Sequence, residues 1–479
     1  MVVASSIAFG LVGGQEARAG VCASPGVVEL ARDEASGVVS AWLASGVRVH
    51  AKAMPEAEQV RISAVFAGGE MLETPEARGV ASLIASAGLG RASHGGAPTV
   101  ETDAELSRRG VTVTAYVMRD AIRLDLGGPA GELGWMLELL GAVAREPRIE
   151  AGPARAWRQA YGSLAERATA DPMLRLRQSL LGALTSGAGQ DLASSGSVHL
   201  DHLTAELASS WITRLVVEAP MEVAIVGALS WADAIAQAEG ALAGLPVRAR
   251  IAPGVRGGGR EGGAVRAPAR DGAGARLGVL GPTYVERMEG GGRSAVLVGF
   301  EGPGMDQLRE LRAVTLAREV LSDRVSDRLS DRESSQHAWA ALMPGDSGAS
   351  LGLFALIVSA PSHRADQLVG LAQVELSRFA SEGPTDAELA TAKADVDRRL
   401  AAQLASPVHW AARLSTLTYR GQRLEDLTGA RAAYESISPA EVRETFRAWM
   451  ARGAGALASE LPGDREGLLV VQVIGVEAD

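Results

Sequence analysis

The chain has 479 residues, enough for several domains and a large buried core. Apolar residues at 47% and charged residues at 22% exclude a disordered, collagen-like or disulfide-scaffold protein. The 47 basic residues against 57 acidic ones leave a net charge of −10, the wrong sign for a general electrostatic binder of nucleic acid or anionic membrane.

One cysteine, Cys22, excludes an intrachain disulfide and any cysteine-based zinc cluster, so a metal would need histidines and carboxylates. At the start, an apolar run from Val2 to Gly14 precedes Ala17-Arg18-Ala19, which has the small-x-small form of a signal cleavage site. No Lys or Arg precedes the run, and Glu16 sits in the cleavage region. Residues 1–30 therefore read either as a signal segment, with a periplasmic or exported protein, or as a truncated start, with a cytoplasmic one. No later apolar stretch reaches the ~18 to 20 residues of a membrane-spanning helix.

Alternation predicts strands at Val47–Ala53 and Val60–Phe66, a helix near Gly79–Leu89, and strands around Val111–Val117 and Ile122–Leu126. Amphipathic spacing predicts helices near Leu133–Ala144 and Pro153–Ala170. The first half closes on the strand "MEVAIVG" and the helix "WADAIAQAEGALAGL". From 252 to 276 runs "APGVRGGGREGGAVRAPARDGAGAR", a Gly-, Ala- and Arg-rich stretch without apolar periodicity that reads as a linker. Beyond it the order recurs at an offset of about 234 residues. "VRISAVFAGGE" is echoed by "RSAVLVGFEGP", the helical stretch ending at Pro172 by the one ending at Pro407, and "VAIVG" by "LVVQVIGV". The expected fold is α+β: two homologous domains, at 31–251 and 277–479, each an antiparallel-rich sheet backed by helices.

Three segments, "SGVRV" at Ser45–Val49, "VFAGGEMLETPEARGVASLIASAG" at Val65–Gly88 and "RRGVTVTAYVMRD" from Arg108, resemble the insulinase/pitrilysin family of zinc metallopeptidases. The likeness is strongest to its two-domain protomers, which include the mitochondrial processing peptidase and bacterial relatives, and it covers nearly the whole chain. That family carries an inverted H-x-x-E-H helix. Residues four apart share a helix face, so two imidazoles bind one Zn²⁺ while the glutamate takes a proton from the metal-bound water. Here the three positions are Ser82, Ala85 and Ser86, which supply neither imidazole nor base. Aligned on Asp171-Pro172, the family's third ligand falls at Leu164, and a shift of two residues would bring Glu166. The resemblance thus implies a non-catalytic member with no cofactor of its own, zinc being expected only in an active partner. Ser82 and Ser86 also read simply as small residues on a helix face packed against the sheet. His199 and His202, either side of Asp201, have metal-ligand spacing but equally suit a polar helix start.

In the second half "SDRLSDRESSQHAWAAL", from Ser326, resembles a stretch in which family members place an Arg and a Tyr in the substrate chamber. Arg332 stands at the Arg position and Trp339 at the Tyr position. A guanidinium could donate two hydrogen bonds to a peptide carbonyl or carboxylate; Trp keeps a flat apolar surface and lacks the phenolic hydroxyl. The competing reading makes Arg324, Arg328 and Arg332 one charged helix face, balanced by Asp323, Asp327 and Asp331. At Thr114-Ala115 the family usually has Asn-Ala on the strand that receives substrate. Strand addition uses backbone groups, so peptide binding can survive that change. Gly290–Arg293 lacks the strand-to-helix setting of a phosphate loop.

Three functions follow as alternatives. The first is a silent subunit or half that pairs as a heterodimer with an active protomer bearing HxxEH and binds peptide substrate with it. The second is an active peptidase with an unusual zinc site built from His199, His202 and Glu166. The third is a structural interaction protein comparable to the core subunits of the respiratory cytochrome bc complex.

Overall fold

The computed structural model describes residues 26–89, 100–118, 120–176, 200–251, 259–261, 264–266, 283–289, 292–305, 307–329, 336–343, 352–458 and 468–476. In the first half β1 (Val27–Asp33), β2 (Val38–Leu43) and β3 (Arg48–Ala53) run as an antiparallel meander, followed by β4 (Val60–Ala67). Then come α1 (Val80–Leu83), continued by a π-helical turn at Ile84–Leu89, and α2 (Val100–Arg109). The hairpin β5 (Thr112–Val117) and β6 (Ala121–Gly128) precedes α3 (Leu133–Arg145), α4 (Ala151–Ala170) and α5 (Ala205–Ile212). The half ends with β7 (Met221–Gly227) and α6 (Trp231–Leu242).

Inside the stretch read as a linker, β8 (Gly259–Glu261) and β9 (Ala264–Arg266) pair as a two-stranded ribbon. The second half holds β10 (Thr283–Glu289), β11 (Arg293–Gly302), α7 (Leu308–Leu329), β12 (His337–Met343) and β13 (Gly352–Pro361). Helices α8 (Ala365–Glu382), α9 (Asp386–Leu404), α10 (Pro407–Leu414), α11 (Leu424–Thr428), α12 (Ala430–Glu435) and α13 (Pro439–Ala458) lead to β14 (Leu469–Val476).

The duplication expected from the repeat is present in the strand order. The first sheet runs β1-β2-β3-β7-β4-β6-β5 and the second β10-β14-β11-β13-β12. β3–β7 and β10–β14 are both parallel, and every later pair in each sheet is antiparallel. β1 and β2 are therefore an addition to a five-stranded unit used twice.

The inner strands of each sheet are buried on both faces. One face packs on the half's own helices: Val49, Ile62, Phe66 and Leu124 meet Leu83, Met136, Leu140 and Ile235 in the first half. In the second, Phe446 meets Phe300, Phe354 and Phe379 with ring centroids 4.9 to 5.3 Å apart, counting the Phe300–Phe354 pair. The opposite faces are covered by exchange between the halves. Trp410, Ala411 and Leu414 of α10 lie on Val38, Ala224 and Val226 of the first sheet. Met173 and Leu176, just after α4, lie on Leu297, Ile357 and Val471 of the second. Pro172 and Pro407, paired by the repeat, thus open the two exchanged segments.

Candidate functional site

The segment carrying the altered motif begins where β4 ends. Gly68 and Gly69 take positive φ (149° and 79°) and turn the chain off the sheet, and Gly79 (φ 94°) starts α1. A Cβ at Gly79 would lie 3.0 Å from Leu203, so a side chain there would be both strained and crowded. From Val80 onward the small and apolar residues are pressed into the core. Ala85 is 2% exposed, Ser82 is half-buried, and Ser86 faces solvent. Two hydroxymethyl groups and a methyl do not form a donor set for zinc. Among the described residues no group of three His, Cys, Asp or Glu side chains is placed to hold a metal ion. His202 is exposed on a short turn at Leu200–His202; His199 lies outside the described residues. Positions 164 and 166 fall on α4, with side chains outside those described.

The start of α1 is held by Glu73. Glu73 accepts hydrogen bonds from Gly79 N (2.9 Å) and Ala81 N (2.7 Å), serving two of the amides that open a helix. Burial pushes its carboxyl up to about 7; those amides and Arg78 oppose the rise, and Glu70 adds to it. On α4, Trp157 and Tyr161 stack with centroids 5.0 Å apart, Trp157 approaching Gly79 and Tyr161 the carboxylates. Burial, then Glu70 and Glu73, raise the Tyr161 phenol. Glu73 lies six residues ahead of Gly79, beyond the turn at Pro75–Ala77, so no local N-cap pattern marks it in the sequence.

β5 packs against the π-helical turn and ends the sheet. Thr112, Thr114 and Tyr116 are exposed, while Val113, Ala115 and Val117 face the core. Thr114 lies opposite Asp125 and Ala115 opposite Leu124. Arg123 sits over the Tyr116 ring at 4.8 Å. Among the described residues no strand pairs with the outer side of β5, which leaves alternate backbone groups for an added strand. Its sequence carries no charge, whereas the sheet's other edge, β1, carries Glu29, Arg32 and Asp33. Charges on an edge discourage pairing, so β5 is the edge suited to accept a strand.

In the second half Trp339 is half-buried on β12 opposite Ile357 and packs with Met173 and Leu176. Arg332 lies outside the described residues. Arg324 and Arg328 pair not with the aspartates of their own helix but with Glu388 (2.7 Å) and Glu375 (2.7 Å) on α9 and α8.

Residues 202–396 match the sequence model of a family described as the peptidase M16 inactive domain. Three solved structures share the architecture. A peptidase M16 inactive domain from Pseudomonas fluorescens is 16% identical, with a TM-score of 0.71, over 92% of this chain and 99% of that one. The periplasmic protease PqqL from Escherichia coli is 15% identical, with a TM-score of 0.71, over 99% of this chain and 49% of that one. A chain of complex III2 from Candida albicans is 14% identical, with a TM-score of 0.64, over 91% and 95%. No curated protein matches the chain. The duplicated fold is thus the one these M16-like structures share, and residues 202–396 carry the sequence likeness to the peptidase M16 inactive domain.

Proposed function

We propose that this chain is a non-catalytic protomer that joins an active homologue bearing HxxEH to enclose extended peptides, offering β5 as a wall strand. The observation that carries the reading is the combination of a lost donor set at 82, 85 and 86 with an uncharged free edge beside it at Thr112–Val117. The likeness to a domain described as inactive supports it. In this reading residues 252–276 join the two units, and Arg332 and Trp339 contribute to the chamber. Co-purification with the HxxEH homologue, followed by a peptide-cleavage assay of each chain and of the pair, tests it. Cleavage is expected from the pair well above that of either chain; equal cleavage with and without this chain rejects the reading.

A second reading, a structural subunit of a larger assembly, is favoured by the likeness to a chain of complex III2. A neighbouring HxxEH gene supports the first reading, and a respiratory operon the second.

A further inference from the structure

The hairpin that ends β5 is held from the other half of the chain. Glu222, on β7, is 0% exposed, and a carboxylate so placed is tolerated only among donors. Three surround it: the backbone amides of Thr418 and Tyr419, at 2.7 and 2.9 Å, and Nε2 of His50 at 2.7 Å. Nδ1 of His50 meets Ser40 Oγ at 2.7 Å. These are the residue types of a hydrolase triad, yet all three are buried and the carboxylate is spent on backbone amides, so the group anchors a strap rather than attacking a substrate.

From that anchor Tyr419 donates its hydroxyl to the carbonyl of Asp120, 2.6 Å away, in the turn between β5 and β6. Arg420 reaches Met118 Sδ, at 3.7 Å, on the same turn. The Asp120 carbonyl also accepts from Gly68 N at 2.7 Å, so the turn is tied both to the end of β4 and to the second half. Burial, then the neighbouring Asp120, push the Tyr419 phenol well above its ordinary value, which keeps it a donor.

We propose that Tyr419 is a positioning residue, by which the second half, through a strap anchored on Glu222, sets where the edge strand β5 stands. The coupling stands on its own contacts; its consequence for peptide capture rests on the reading of β5 given above. Hydrogen–deuterium exchange on the full chain tests the coupling. Tyr419→Phe removes one hydroxyl and should speed exchange across residues 112–121 about three- to tenfold, the thermal midpoint staying near that of the wild type. Glu222→Gln should give the same local pattern. Ser415→Ala loses its contact with Ser63 (3.0 Å, on β4) and should leave 112–121 at the wild-type rate. Wild-type exchange in Tyr419→Phe, or an even rise across the whole first sheet, overturns the proposal.

The peptide arm uses a fluorescein-labelled heptapeptide of alternating valine and threonine, and its counterpart N-methylated at alternate residues. Binding of the first alone, weakened severalfold by Tyr419→Phe, is expected. Unchanged affinity alongside faster exchange overturns the positioning role. No binding to the wild type refutes the reading of β5 instead, and the exchange data still judge the strap.

Discussion

Glu73 offers a quantitative test of the segment around the altered motif. Burial, opposed chiefly by the Gly79 and Ala81 amides, raises its carboxyl from 4.5 to about 7. Between those two values the folded chain holds a proton that the unfolded chain has released. The stability this group contributes is therefore fully present below pH 4.5 and is lost as pH rises through 7. At about 1.36 kcal/mol per pH unit the full effect is roughly 3 kcal/mol, and partial exposure to solvent brings it to about 2. Glu73→Gln is neutral at every pH and keeps one acceptor for the helix amides. Urea unfolding of both proteins, followed by circular dichroism from pH 4.5 to 8, isolates the group because all other titrating residues are shared. The wild type should lose about 2 kcal/mol relative to the variant across that range. Parallel pH profiles would mean that burial does not shift the Glu73 carboxyl in the folded chain.

Arg248 is 3% exposed and donates to the carbonyls of Val216 (2.6 Å), Ala219 (2.7 Å) and Ala144 (2.9 Å). Arg248→Met leaves these carbonyls without that donor and should cost on the order of 2 to 4 kcal/mol in denaturant unfolding. Phe446→Ala removes the ring on which three other phenylalanines converge and should cost about 3 to 5 kcal/mol, read in the same way. Limited proteolysis should nick the chain between Pro253 and Ala275, and the fragments should still co-elute, since each half covers a face of the other's sheet. Separate elution would count against the exchange of segments. In the assembled pair, Arg332→Ala should lower peptide turnover; unchanged turnover with intact assembly would reject a substrate-facing Arg332.

The repeat was legible because β4 and β11, and the helix pairs α3–α4 and α8–α9, keep the same order and polarity at a constant offset. β2 was not. Val38–Leu43 is buried on both faces, because α10 of the distant half covers the outer one, and a strand so covered shows no alternation to read. The same exchange hid the meaning of Glu222. Nothing within "MEVAIVG" marks it as buried, because its partners, Thr418 and Tyr419, lie 196 and 197 residues away. At the motif, residue identity alone exposed the missing donors. The cap by Glu73 and the stacked pair on α4 needed the packing of three elements at once.

On the helix face that would hold a catalytic cation, Ser82 and Ser86 offer hydroxyls in place of imidazoles. Metal analysis of the purified full chain, after exchange into buffer containing zinc and removal of the excess, tests this most directly. Far less than one zinc per chain is expected. About one tightly held zinc per chain, lost together with peptide cleavage on chelation, would contradict it.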